Sequence, residues 1–364
     1  MPRYEVDTPV LAIDLDIMER NISRMAEKAK RHGVKLRPHI KTHKSPQIAQ
    51  LQVAAGATGV TAAKLGEAEV MVRGGIEDVL IAYPIVGEKK LARLEKLVTD
   101  AKVTVSLDSV DVAEGISRVG RRLGRRIPVY LEVDTGLKRV GVRPGAPATE
   151  LAQAVARLQG VEVRGVMTHG GHVGAATSKD QLEELSRAQA ELLAATAEEI
   201  RRAGVEVAEV SPGSTLAAFY EADTPGVTEI RPGTYVFNDR NTVDRWMATP
   251  DECAAFVITT VVSRPAPDRV IIDAGSKTLS ADQSLSKLGG YGLVLGGRGF
   301  QVVRLSEEHG VVQIDPDSNI SIGEQLLVVP NHICPAVNLS DHLVTVRQGS
   351  VVGEIPVLAR GART

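Results

Sequence analysis

Eight short β-branched runs, each followed by a stretch of helical periodicity, predict an α/β protein built on a (β/α)8 TIM barrel. A helix-poor tail, broken by Pro, Gly and Asp turns, predicts a C-terminal β-strand domain behind it. The chain of 364 residues exceeds the roughly 250 of a simple barrel and leaves room for that second unit. The expected division is a barrel over 14–242 and a β domain formed by 243–364 together with 1–13.

The runs are VKLRPHIK (34–41), TGVTAA (58–63), DVLIAY (78–83), VTVSLD (103–108), PVYLEVD (128–134), RGVMTH (164–169), VEVAEVS (205–211) and GVTEIRPG (226–233). Between them lie amphipathic segments such as KLGEAEVMVRGG and DQLEELSRAQAELLAATAEEIRRAG. Their apolar residues recur at three and four positions, and both end in glycine, a helix-terminating residue. An open doubly wound sheet is the structural alternative, but no G-x-G-x-x-G turn follows the first run. Beyond residue 245, FVITTVVSRPAPDRVIIDAG, FQVVRLSEEHGVVQI, EQLLVVPN and LVTVRQGSVVGEIPVLA alternate in strand fashion. The opening TPVLAIDL also reads as a strand, placed to pair with this C-terminal sheet.

Composition narrows the function. A formal net charge of −2 offers no long-range positive field for nucleic acid or an anionic membrane, so a small ligand is expected. Two cysteines, Cys253 and Cys334, are too few for a disulfide scaffold and suit a reducing, cytoplasmic compartment. The N-terminus lacks the pattern of a signal peptide, and no run of about 18 apolar residues suggests a membrane span.

Barrel enzymes carry their chemistry at the C-terminal ends of the strands, and here those ends are polar. The first run packs Arg37, His39, Lys41, His43 and Lys44 together. The fifth leads into Asp134 and Arg139, the sixth ends in Thr168 and His169 with His172 beyond two glycines, and the last two end in SPGST and RPGTY. Those two loops suit an anion, since glycine exposes backbone N–H groups and Ser214, Thr215 and Thr234 add hydroxyls. A lysine at the first strand, an arginine on the fifth and a phosphate cradle on the last two describe a cofactor that is both an aldehyde and a phosphate ester. Pyridoxal 5'-phosphate is such a molecule, and a Schiff base on Lys41 would remove the cost of a buried free ammonium. Lys44 and Lys64 are expected as solvated helix charges. His39 reads equally as a packed strand residue or a functional one, and Arg139 alone would suit a surface ion pair.

The stretches RPHIKTHK, EVDTGLKRVGV, THGGH, SPGST and RPGTYVFND, with EEHG and PNHICPAVNLSD further on, resemble the D-threonine aldolase and D-serine dehydratase branch of the alanine racemase-like, fold-type III pyridoxal phosphate enzymes. The likeness runs from about residue 7 to the end. It implies that Lys41 forms the Schiff base, that Arg139 contacts the cofactor's phenolic oxygen and that Thr168 and His169 lie beside the ring. It places Gly213, Ser214, Thr215, Gly233 and Thr234 around the phosphate and gives His172 the role of base.

The last motif is His332-Ile333-Cys334. On an extended strand this spacing puts imidazole and thiolate on one side, and both ligate zinc or another borderline metal. A lone cysteine is more often a small buried hydrophobe. The resemblance makes the pair a divalent-metal site near the cofactor, with H-x-C typical of the dehydratases. The continuation P-x-x-N-L-x-D instead matches the aldolases, so the metal could be zinc, manganese or magnesium. A metal at this place would bind the β-hydroxyl of a D-3-hydroxy-amino acid. Proton removal from that hydroxyl by His172 gives retro-aldol cleavage to glycine and an aldehyde, the favoured reading. Removal of the α-proton gives instead a deaminating dehydratase of D-serine, D-threonine or 3-hydroxy-D-aspartate. A non-catalytic cofactor carrier would leave the β domain and the His332-Cys334 pair without purpose; a racemase, using Lys41 and a second base on the opposite face, is the other alternative, and a bound metal would count against both. Relatives suggest a homodimer.

Overall fold

The computed structural model describes residues 4–285, 289–296 and 299–364; the first three residues of the expected 1–13 segment lie outside them. It forms two compact units, one of Arg24–Lys41, Pro46–Gly233 and Ala362–Thr364, the other of Met1–Ser23, Thr42–Ser45 and Thr234–Gly361. The second unit begins with β1 (Val10–Asp14). The first holds β2 (Lys35–Leu36), β3 (Val60–Ala62), β4 (Asp78–Ile81), β5 (Lys102–Leu107), β6 (Ile127–Glu132), β7 (Val161–Met167), β8 (Glu209–Ser211) and β9 (Glu229–Ile230). The chain then returns to the second unit with β10 (Ala255–Ala266), β11 (Arg269–Ile272), β12 (Gly292–Val294), β13 (Gln301–Leu305), β14 (Gly310–Gln313), β15 (Gln325–Pro330), β16 (His342–Arg347) and β17 (Ser350–Pro356).

In the first unit β3 to β8 form a six-stranded parallel half-barrel in chain order, and β2 pairs with β9 in a separate parallel ladder. Thr61 N–H donates to Pro38 O at 2.7 Å, and Thr228 N–H donates to Val210 O at 3.0 Å. The ladder is thus hydrogen-bonded to both edges of the six-stranded sheet. Each of the eight runs overlaps one of these strands. Parallel strands are covered on both faces, so their residues are apolar without strict alternation. Leu80, Tyr130 and Met167, from three different strands, pack as one buried cluster. Each large apolar side chain buried in this way contributes about 1.5–3 kcal/mol.

The first run departs most from its expected form. Its strand stops at Leu36, His39 makes only an isolated bridge to Thr61, and Ile40–Thr42 is a 3-10 turn. Pro38 has no N–H to give a ladder, which ends the strand before the lysine. Lys44, expected in solvent, is buried at 7% exposure with φ +52°, and its Nζ donates to Ala359 O at 3.5 Å. Lys64 is half-buried, its Nζ lying 3.2 Å from the centre of the Tyr83 ring.

Helices cover the parallel sheet through apolar stripes. The Lys179–Arg202 helix starts at Ser178, whose hydroxyl accepts from Gln181 N–H at 3.2 Å, and finishes on Arg201 and Arg202, which suit the negative end of its dipole. Among the described residues no helix is long and apolar enough to cross a membrane.

The second unit is a nine-stranded sheet in the order β11-β14-β13-β12-β15-β10-β1-β16-β17. β10 also pairs with β11, so six of these strands close into an antiparallel barrel. The N-terminal strand β1 joins as expected, antiparallel to β10 and parallel to β16. Ala12, Phe256, Ile258, Val329 and Val344 fill a core against Tyr4.

Candidate active site

In the first unit the site is built where β7, β8 and β9 end. Beyond β7 come Thr168, His169 and two glycines, then a 3-10 turn over Gly171–Ala175 carrying His172. Gly170 N–H donates to Gly213 O at 3.2 Å, which holds this loop to the one after β8. A Cβ on Gly170 would come within 2.1 Å of the Gln189 amide, so any larger residue would displace that side chain from its bond to Glu221. His169 Nδ1 lies 2.9 Å from the same Gly213 carbonyl, and donating there it keeps the Nε2 lone pair free of a proton. Burial lowers the His169 pKa to about 3, and the Lys41 and Arg139 cations push the same way. Lysine, guanidinium and neutral imidazole therefore act on one another within this unit.

Lys41 is half-buried on the 3-10 turn, its backbone N–H donating to His39 Nδ1 at 3.4 Å. That bond gives His39 a local role in shaping the turn. Arg139 is 55% exposed with a guanidinium nitrogen 4.0 Å from the buried Glu132 carboxylate. Burial raises the Glu132 pKa, against the pull of Arg231 and Arg139.

His172 has an unusual setting. Its Nδ1 is buried with no hydrogen-bond partner among the described residues, and its pKa is lowered by burial despite the opposing charge of Asp134. Asp134 is fixed in turn, Oδ1 accepting from Gly136 N–H at 3.0 Å and Lys138 N–H at 2.9 Å. A neutral imidazole beside an oriented carboxylate is the arrangement a general base needs.

The expected phosphate loops are tied together, since Thr215 Oγ1 accepts from Gly233 N–H at 3.1 Å. Ser214 Oγ accepts from Ala217 N–H at 3.2 Å. Thr234 follows Gly233 in the chain and opens the next segment of the other unit, with its carbonyl accepting from Asn238 N–H at 2.7 Å.

The strand-end reading missed Arg231. It is buried and donates to Thr168 O at 2.6 Å, to Ser211 Oγ at 2.6 Å and to the Ser211 carbonyl, so one cation clamps the ends of β7, β8 and β9. It packs within 3.0 Å of where a Gly213 Cβ would stand. The only signal was a charge inside an otherwise buried strand run. Also missed was the pair beneath the Gly170 loop, where Gln189 Nε2 donates to the fully buried Glu221 at 2.6 Å.

In the second unit the His332-Cys334 pair is not on an extended strand. His332 is the N-cap of a helix over Ile333–Leu339, with Cys334 in its first turn. Asp239 Oδ2 accepts from Ile333 N–H at 3.1 Å, and Pro335 is tolerated in a first turn, so the helix begins one residue after the histidine. The two side chains still meet. Burial opposes charge on His332, but Cys334, Asp239 and Asp282 outweigh it and raise its pKa to about 10. His332 Nδ1 is 3.0 Å from Asp282 Oδ2, and the Cys334 thiol donates to Thr42 Oγ1 at 3.3 Å. Thr42 directly follows Lys41 in the chain. An imidazole and a cysteine sulfur brought together are a donor pair that a zinc-like ion fits. Among the described residues no group of three or more His, Cys, Asp and Glu is assembled for a metal.

Residues 13–241 match the alanine racemase N-terminal domain family and residues 254–346 the serine dehydratase domain family. The chain is 37% identical to the D-threonine aldolase of Arthrobacter sp., over 99% of this chain and 94% of that one. It is 34% identical to the D-threo-3-hydroxyaspartate dehydratase of a Delftia species, over 90% and 91%. The crystal structure of D-threonine aldolase from Filomicrobium marinum superposes with a TM-score of 0.92 at 34% identity, covering 100% of this chain and 98% of that one. Similar structures also include a D-threo-3-hydroxyaspartate dehydratase as a cysteine-to-alanine variant, metal-free, and as a histidine-to-alanine variant, the two replaced residues lying two positions apart. With its racemase-like N-terminal part, its dehydratase-type C-terminal part and full-length likeness to both kinds of lyase, the chain belongs to the D-threonine aldolase and D-serine dehydratase branch of the alanine racemase-like, fold-type III pyridoxal phosphate enzymes.

Proposed function

We propose that this protein is a pyridoxal phosphate- and divalent-metal-dependent lyase that cleaves D-3-hydroxy-amino acids to glycine and an aldehyde, as a D-threonine aldolase does. The observation that carries this is His172, a histidine with a buried, partnerless Nδ1 and a lowered pKa beside a fixed carboxylate. In this reading β2 and β9 complete the half-barrel to a (β/α)8 barrel over 14–242, and 1–13 with 243–364 form the metal-bearing β domain. The enzyme would be cytoplasmic, as its two cysteines suit, and a homodimer.

Lys41 would hold the cofactor aldehyde through Nζ. Gly213, Ser214, Thr215, Gly233 and Thr234 would bind the phosphate through backbone N–H groups and hydroxyls. Arg139 would face the phenolic oxygen. Thr168 and His169 would flank the ring, with His169 kept neutral and therefore adding no charge there. His332 and Cys334 would ligate the metal, at the spacing of the histidine and cysteine replaced in the D-threo-3-hydroxyaspartate dehydratase variants. When bound, the cofactor supplies a sink for the electron pair released at Cα, and the metal supplies a Lewis acid for the β-oxygen. The His172 imidazole would take the β-hydroxyl proton, and the negative charge of Asp134 would stabilise the imidazolium that results.

A dehydratase is the second reading, favoured by Cys334, a soft ligand suited to zinc, and by the similar identity to the Delftia enzyme. Product analysis decides between them. D-threonine should yield glycine and acetaldehyde, and D-serine glycine and formaldehyde. Release of 2-oxobutyrate or pyruvate with ammonia, and no glycine, would overturn the aldolase reading in favour of the dehydratase.

A further inference from the structure

The first unit contains a cavity of ≈520 Å³ at the strand ends opposite the candidate active site. Its walls include Lys35, Lys102, Ile127 and Glu209, each the first residue of its strand, whereas the candidate active site lies past the last residues. Along β7, from Glu162 at the cavity to Thr168 at the site, the separation is roughly 20 Å at about 3.3 Å per residue.

The charges of this cavity do not cancel. Lys35 pairs with Glu209, and Arg37 pairs with Asp78 at 2.5 Å and with Glu229 at 2.7 Å. What remains on the lining is Lys102, Arg125, Arg126 and Arg164 against Glu162 alone. Arg125 spends one donor on Val98 O at 2.7 Å and Arg126 one on Val161 O at 2.9 Å, which fixes each guanidinium and leaves further N–H groups unspent. Lys102 and Arg164 form no ion pair among the described residues. The phenol of Tyr130, buried at the base of the cavity, adds a polar group with no hydrogen bond among the described residues.

We propose that this basin is a binding site for a small, multiply charged oxyanion, separate from the cofactor's phosphate loops. Its volume suits a molecule the size of a tricarboxylate or a pyrophosphate, and a pocket between roughly 300 and 1,000 Å³ is the ordinary range for small ligands. Guanidinium groups already held by backbone carbonyls are preorganised for bidentate oxyanion contacts, and two unpaired cations at the rim supply the remaining charge. A singly charged anion would leave most of that surplus unmatched. The proposal concerns the barrel base alone and stands whichever reaction the active site performs.

The test uses the cofactor-saturated enzyme, in which the phosphate loops of the active site are already filled, with citrate and inorganic pyrophosphate as probes in calorimetric titrations. One saturable site per chain is expected for at least one probe, weakening as salt is raised. Lys102→Glu with Arg164→Glu should weaken it at least tenfold. The milder Lys102→Gln should weaken it severalfold, and an unchanged cofactor absorption spectrum confirms that each variant is folded. Saturable binding by only one of the two probes identifies the class, carboxylate or phosphoryl. Failure of both probes to saturate at millimolar concentration overturns the proposal, as does equal affinity in wild type and the charge-reversed variant.

Discussion

A histidine serves as a base only while it is unprotonated. Burial lowers the His172 pKa below its ordinary 6.5, so the acidic limb of kcat/KM against pH should fall below 6.5. Asp134→Asn removes the one charge that raises that pKa and should move the limb further down. A limb at or above 6.5 in the wild type would contradict the assignment. His172→Gln should cost about 10²- to 10⁴-fold in kcat/KM while the bound-cofactor absorption persists. Borohydride should fix the cofactor on Lys41, as read by peptide mapping. Recovery on Lys44 would refute that residue, and its buried ammonium, bonded to Ala359 O, is poorly placed to compete.

At the scale of elements, the loop that carries His169 and His172 rests on Gln189 and Glu221, and the two scales meet in the pH dependence of stability. Burial raises the Glu221 pKa from 4.5 to about 8, so the folded state keeps a proton that the unfolded state loses above pH 4.5. Its contribution therefore falls as pH rises from 4.5 to 8, by about 1.4 kcal/mol per unit. His169 acts in the other direction: with a folded pKa of about 3 against 6.5, its contribution is whole above 6.5 and is lost as pH falls toward 3. Between 4.5 and 6.5 the two slopes oppose each other, and above 6.5 only the loss from Glu221 remains. Glu221→Gln, which has no proton to lose, should raise Tm at pH 8 relative to wild type and change it little at pH 4.5. A Tm lowered equally at both values would show instead that the carboxyl is needed for packing. None of this was legible beforehand, because Gln189 and Glu221 lie on separate helices and look like ordinary amphipathic positions. The strand order was legible for the opposite reason. Parallel strands covered on both faces are apolar over most of their length, with charges mainly toward their starts, and that leaves eight runs visible in one dimension. One local and one distant contact decided the misreadings: Pro38 cut the first strand short, and the side chain of Asp239, 94 residues away in sequence, holds the Ile333 N–H at the start of a helix where the H-x-C spacing suggested a strand.

For the molecule as a whole, the division into two units sets up a separation of roles that metal removal can test. The residues proposed to hold the cofactor lie almost entirely in the unit of Arg24–Lys41 and Pro46–Gly233, and His332 and Cys334 lie in the other. Chelation, or Cys334→Ala, should therefore abolish metal occupancy and lower turnover by roughly a thousandfold or more, while the cofactor absorption stays nearly intact. If Cys334 serves only as packing, Cys334→Ala should instead cost on the order of 1 kcal/mol of stability with activity kept. Cys334→Asp sharpens the contrast. A carboxylate is a harder ligand than a thiolate, so a genuine site should shift its preference from zinc toward manganese or magnesium, whereas an unpaired carboxylate in a packed position would only destabilise the unit. The measurement is metal content and turnover of the three proteins after exhaustive chelation and readdition of each ion. Full activity of the chelated Cys334→Ala protein would remove the metal from the mechanism and return the racemase and carrier readings to consideration.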